Sequence, residues 1–232
     1  MIHECIHYTF IIEQKVALIY GSGGSVYRTK WLLSSGISNI LESRKKTSLL
    51  DYFKCIPNLE RDRVKYVTMD MNEIYKEIIQ RRFKNAIIAI DSFHVMKLMN
   101  DELDRLRRKV MKEYEDNKHS DEYHLLKHKN YVLFKGDLDD RYHYSRHFRI
   151  DMNETDYLDR ILKIDPELTK AYQEIRRYYY FNDSFNDYSK DEALDYISRF
   201  IQDCISSENE CLIKIAGTLN NWKEEKIGRA HV

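Results

Sequence analysis

Val64-Lys65-Tyr66-Val67-Thr68-Met69-Asp70 and Ala86-Ile87-Ile88-Ala89-Ile90-Asp91 flank a helix-forming stretch, and their reading decides the fold. The first run alternates and is β-branched or aromatic at most positions, so it reads as a strand that stops at Asp70. Asn72 then offers an N-cap. Ile74, Tyr75, Ile78 and Ile79 recur at helical spacing, with Glu73, Lys76, Glu77, Gln80, Arg81 and Arg82 on the other face. The second run is short and wholly apolar, as in a central strand covered on both faces. It ends at Asp91, with Ser92 expected to cap the next helix. Strand, helix, strand at this spacing is a βαβ unit, whose strands lie parallel in one sheet with a right-handed crossover.

Asp70 and Asp91 thus each sit one residue past the carboxyl end of a parallel strand, where open α/β sheets place their ligands. If the two strands are neighbours, about 4.8 Å apart, both side chains are within reach of a common site. Two carboxylates that close are stabilised by a cation, and a hard divalent ion such as Mg²⁺ takes oxygen ligands. One Asp in such a place ordinarily starts a turn. Two at equivalent positions of one unit set a metal site beside that reading.

Downstream, Met96, Met99, Leu103, Leu106, Val110 and Tyr114 alternate steps of three and four, which gives one long amphipathic helix with a core stripe. Its other face carries Arg105, Arg108, Lys109 and Lys112, candidates for DNA-backbone contact, with a solvated charge face as the plainer reading. Further helices are predicted near 153–164, 166–181, 189–206 and 209–224, the second helped by Pro166 in its first turn. Lys129 to Lys135 is read as a short strand or extended connector. Tyr178 to Phe181 is read as core packing, with base stacking as the functional alternative.

Composition bounds the rest. A 232-residue chain that is 43% hydrophobic buries a sizeable core in one or two domains. Lys and Arg total 38 and Asp and Glu total 38, so a polyanion must be held by local patches, not by a net field. Seven glycines and two prolines imply long helices. The four cysteines, Cys5, Cys55, Cys204 and Cys211, form no CxxC pair, which points to free thiols in a reducing cytoplasm. No apolar run is long enough for a membrane span. Gly21-Ser-Gly-Gly-Ser25 after the apolar Val16 to Tyr20 hints at a phosphate loop, but Val26 replaces the third glycine of G-x-G-x-x-G and the Lys-Ser/Thr pair is absent. A nucleotide-binding α/β enzyme is therefore a minor alternative. His143-x-x-Arg146 is too short to carry an assignment.

Several of these words together resemble a known family. Val67-Thr-Met-Asp-Met71, Tyr75, Phe83-Lys-Asn-Ala86 and Ile90-Asp-Ser-Phe-His-Val95 resemble the DM…Y…FPNA…DRFHV core of the ISL-three family of DDE insertion-sequence transposases. The likeness continues in Leu41-Glu-Ser-Arg-Lys45, Leu103-Asp-Arg-Leu-Arg-Arg108, His147-Phe-Arg149, Asp165-Pro-Glu-Leu168 and Asn220-Asn-Trp-Lys223, covering about 37 to 224. The resemblance implies an α/β, ribonuclease-H-like core with a large, mostly helical insertion. It implies three acids holding two Mg²⁺ (or Mn²⁺) ions for DNA strand cleavage and transfer. Asp70 matches the second acid and is the expected catalytic residue. Asp91 and His94 match an accessory D-x-x-H pair, with Asp70 and Asp91 as the expected metal ligands. The implied partners are the DNA of the element ends and target, with room for a homo-oligomer of the intact enzyme.

The expected layout is an anomalous segment at 1–36, in the manner of an upstream frameshift, a partial core at 37–95, the helical region at 96–224 and a non-native tail at 225–232. Ile227-Gly-Arg-Ala-His-Val232 resembles the translation of a common sequencing-library adapter. The first acid, in an IDE-like context, and the third, in an NGPIEGINN-like motif, find no match here. The expectation is therefore an inactive transposase fragment, with a non-catalytic DNA- or partner-binding remnant as the alternative.

Overall fold

The computed structural model describes residues 6–12, 15–21, 27–32, 39–41, 45–62 and 64–227. Parts of the expected anomalous segment 1–36, including Ser22 to Ser25 of the glycine-rich stretch, lie outside these residues. So do residues 42–44 of the Leu41 to Lys45 motif and residues 228–232 of the expected tail. The chain divides into two compact units. The first is residues 1–95 with 186–195 and 222–232; the second is 96–185 with 196–221.

The first unit is built on a mixed sheet. Strands β1 (Ile6–Ile12), β2 (Lys15–Gly21), β3 (Tyr27–Leu32) and β4 (Asn39–Leu41) run antiparallel in sequence. After α1 (Lys46–Lys54) and the single turn α2 (Asn58–Arg61), β5 (Val64–Met69) joins β1 antiparallel. Then α3 (Glu73–Arg82) leads to β6 (Ile87–Ile90), which pairs with β5 in parallel. The sheet order is β4-β3-β2-β1-β5-β6.

The apolar pattern explains these elements. Val64, Val67 and Met69 are fully buried. Val64 departs from the period of two because the register with β1 shifts between Ile11 and Ile12, an irregularity that inserts one extra residue into β5. Tyr75, Ile78 and Ile79 form the buried stripe of α3. Ile74, expected on that stripe, is exposed, because it belongs to the first turn that Asn72 caps. Phe53 of α1 meets Phe83 edge to face at 5.2 Å and closes the same core. β6 is not the doubly covered central strand that its composition suggests. It is the last strand of the described sheet, and Ile87 is 44% exposed. Val16 to Tyr20 lies in β2, and β2 pairs with β3 as far as Gly21 opposite Tyr27. The glycine-rich stretch therefore lies between two antiparallel strands, and the next described residue, Tyr27, is in a strand and not in a helix.

Helix α4 (Ser92–Lys112) begins in the first unit, and its longer part belongs to the second. The second unit continues with α5 (Asp121–His128), the hairpin β7 (His143–Ser145) and β8 (Ile150–Met152), α6 (Glu154–Leu162) and α7 (Pro166–Asp183). The chain ends in α8 (Lys190–Ser206) and α9 (Glu210–Ile227). Caps set the starts: Asn153 and Asp156 make a capping box for α6, and Asp165 accepts from the Leu168 amide ahead of Pro166 in α7. The expected strand or connector at Lys129 to Lys135 is instead a 3₁₀ turn over Asn130–Leu133. It follows directly on α5 and buries Val132 and Leu133, as a tightened turn after a helix end does. Tyr178 and Phe181 are core, packed with Phe200 and Tyr196, while Tyr180 is 69% exposed.

Candidate functional site

The strand pair β5–β6 fixes where the two predicted acids lie. Met69 is opposite Ile90 in the parallel register, so Asp70 and Asp91 both follow the aligned carboxyl ends. The Asp91 amide donates to the Met69 carbonyl at 3.1 Å, which extends the pairing one residue into the loop. Both acids are half-buried.

Local chemistry sets the two turns. After Asp70, the Asn72 side chain accepts from the amides of Ile74 at 2.9 Å and Tyr75 at 3.4 Å, starting α3. After β6, Asp91 itself caps: its Oδ1 accepts from the Phe93 amide at 3.0 Å. Ser92, expected as the cap, is the first residue of α4. A carboxylate at this place also gains from the partial positive charge of the helix start. The turn role and the metal role therefore meet in one side chain, with Oδ1 committed to the cap.

His94 sits one turn into α4, and its amide donates to the Asp91 carbonyl at 3.1 Å. The three-residue spacing on a helix start brings the two together. Its ring packs edge to face against Phe93 at 5.5 Å, and its Nε2 is buried with no hydrogen-bond partner among the described residues. Buried ring nitrogens are ordinarily paired. Among the described residues no group of three or more His, Cys, Asp or Glu is arranged to hold a metal ion. Strands β1 to β4 contain no Asp or Glu. Among the described residues, Asp70, Asp91 and His94 are the side chains at this edge that could hold a metal ion.

The cationic face of α4 is largely self-neutralised. Arg105 bonds Glu102 at 2.7 Å and Glu210 at 3.0 Å, Lys109 bonds Glu210 at 3.1 Å, and Arg108 bonds Asp104 at 2.5 Å. Asp101 lines the same groove as Lys112. These carboxylates favour the solvated charge face over a DNA contact for Arg105, Arg108 and Lys109. The sequence reading passed over a different cluster, in which His124, His128 and His147 gather beside the β7–β8 hairpin. An acid-free run from Arg141 to Arg149 was its visible signal.

Two acids in register past a parallel strand pair, followed by a D-x-x-H turn, define a candidate site at the sheet edge of the first unit. The family model for transposases of the ISL-three DDE type matches residues 21–230, and the chain belongs to that family. The match is wider than the 37–224 span carried by the motifs. Comparison with curated proteins and with solved structures returns no match. Family membership implies a role in DNA transposition, and DDE transposases act on DNA with divalent metal ions. Among the described residues no helix is long and apolar enough to cross a membrane.

Proposed function

We propose that Asp70 and Asp91 are the metal-binding acids of a DNA strand-cleavage and strand-transfer site, carried on a ribonuclease-H-like core, with His94 as an accessory group. The observation that supports this most is the parallel register that aligns the strand ends before the two acids. The unpartnered Nε2 of His94 and the family membership point the same way. Bound Mg²⁺ or Mn²⁺ would be held by the Asp70 and Asp91 carboxylates, supplying activation of a water or 3′-hydroxyl and stabilisation of the leaving oxygen. Asp70 contributes negative charge at the strand end. Asp91 contributes the oxygen not used in its cap, and its helix holds His94 close by.

Two carboxylates hold one ion loosely and do not fix two. The 232-residue chain is therefore expected to bind Mg²⁺ or Mn²⁺ weakly and neither to nick nor to join DNA. A non-catalytic DNA- or partner-binding role is the second reading, and the small number of carboxylates at this edge among the described residues favours it.

The test is Mn²⁺ binding to the full chain by calorimetry. Asp70→Asn keeps the size and removes the charge, so affinity should fall by roughly tenfold or more, as it does when metal ligands lose their support. In an active family member, the same change at the matching aspartate should abolish strand transfer and spare DNA binding. Unchanged Mn²⁺ binding in both Asp70→Asn and Asp91→Asn would sink the assignment.

A further inference from the structure

The second unit carries a concentration of cations and rings that the strand-edge site does not use. From Arg141 to Arg149 the chain reads Arg-Tyr-His-Tyr-Ser-Arg-His-Phe-Arg, with three arginines, two histidines and no acid. The β7–β8 hairpin presents this run. Its turn is closed by the Arg149 amide donating to the Ser145 carbonyl at 2.7 Å, with Arg149 in the left-handed region at φ 58°. A non-glycine residue there is strained, so the tip is held in place by its surroundings. Tyr142 and Tyr144 are 63% and 64% exposed, and Arg146 has no hydrogen bond or ion pair among the described residues.

A pocket of about 430 Å³ opens beside the hairpin, and Lys129, Arg146 and the stacked rings of His124 and His147 line it. The rings lie 3.8 Å apart with planes 6° from parallel. Two acids also line it, and both are committed. Glu154 accepts from the Asp139 amide at 2.8 Å and from Lys135 at 2.6 and 2.7 Å. Asp139 accepts from the Arg141 amide at 3.0 Å. His124 senses the local field. Burial lowers its pKa first, and then His147, His128 and Lys129 lower it further, opposed by Asp121. Asp121 meets the His147 Nε2 at 2.8 Å, from outside the pocket's own lining.

We infer that this hairpin and pocket bind the phosphodiester backbone of an unpaired nucleic-acid strand, with Arg146 and Lys129 on phosphate and Tyr142 and Tyr144 offering rings to bases. Positive grooves with exposed aromatic rings take single strands because unpaired bases can stack on them, whereas duplex bases are already stacked on one another. The choice of nucleic acid as ligand rests on the DNA-processing reading above. The site itself does not involve Asp70 or Asp91.

The full chain is titrated in EDTA against a labelled mixed-sequence oligonucleotide, single-stranded and as duplex. Arg146→Ala should weaken single-strand binding and lower the slope of log K against log salt by about 0.7, while Arg146→Lys should keep the slope. Changing Tyr142 and Tyr144 to Ala together should weaken single-strand binding by roughly tenfold and change duplex binding little. Because the titration is run in EDTA, its outcome does not depend on a metal at Asp70 and Asp91, so loss of the metal reading and loss of this one are told apart. Unaltered affinity and slope in Arg146→Ala would overturn the proposal. So would binding of inorganic phosphate with no preference for the oligonucleotide, which would mean an anion pocket alone.

Discussion

The Asp91 amide donates to the Met69 carbonyl at 3.1 Å, so the parallel pairing of β5 and β6 reaches past Ile90 to the acid itself. Asp91 is thereby held by the sheet through its backbone and by the start of α4 through its side chain. A carboxylate fixed from two sides adds little reorganisation on binding an ion, which separates the effects of its substitution.

Asp91→Asn retains an oxygen that accepts from the Phe93 amide, so the cap survives while the charge is lost. Asp91→Ala loses both, at a cost of about 1 kcal/mol. Urea denaturation should show the alanine variant less stable by that amount and the asparagine variant nearly unchanged. Both should lose Mn²⁺ affinity by calorimetry. Equal destabilisation of the two would argue against the cap.

Arg107 is 6% exposed and donates through Nη1 to the Leu126 carbonyl at 2.6 Å and through Nε to Asp104 at 2.7 Å. It ties α4 to the end of α5 within the second unit. Arg107→Ala leaves a buried carbonyl without its charged donor and should destabilise the chain by about 2 to 3 kcal/mol, read by urea denaturation. Arg108, largely exposed, should cost far less when replaced in the same way.

Hydrogen bonds from Arg105 and then Lys109 hold the Glu210 carboxyl below the ordinary 4.5. Its folded pKa is depressed, so its contribution to stability is present above the unfolded value and is lost as pH falls through the lower folded value. Glu210→Gln should flatten the acid limb of a stability profile measured below about pH 5. It also releases Lys109, while Arg105 keeps Glu102, so non-specific DNA binding at low salt should increase. No change in either measurement would show that the pairs form no effective neutralisation.

Burial pushes the thiols of Cys204 and Cys211 up to about 12, so both stay protonated across the working pH range. Cys55 is exposed. A thiol reagent at pH 8 should lose one fast-reacting group in Cys55→Ser and none in Cys204→Ser or Cys211→Ser. Fast labelling of Cys204 or Cys211 would mean that α8 and α9 open readily.

The βαβ unit was legible because its signals are local. β-branched residues at Val64 and Val67, the Asn72 cap and the stripe Tyr75, Ile78, Ile79 each act within a few residues, and they determined two strands, a helix and the places of Asp70 and Asp91. The helices α6 to α9 were legible for the same reason, through Asn153, Asp165 and Pro166. The partners of charged groups were not. Arg105 meets Glu210, and His124 stacks on His147, across long stretches of chain that no periodicity links.

By itself, the order of residues determined the parallel pair, the helical spans and the family, since propensity, capping and motif spacing are properties of neighbours along the chain. Tertiary structure alone decided that β6 lies at the end of the described sheet, that Asp91 and not Ser92 caps α4, and that the basic face of α4 is neutralised while the hairpin's Arg146 is not. Those outcomes depend on which surfaces and charges meet through space, and burial and Coulomb energies are set by distance in the folded chain, not by separation along it.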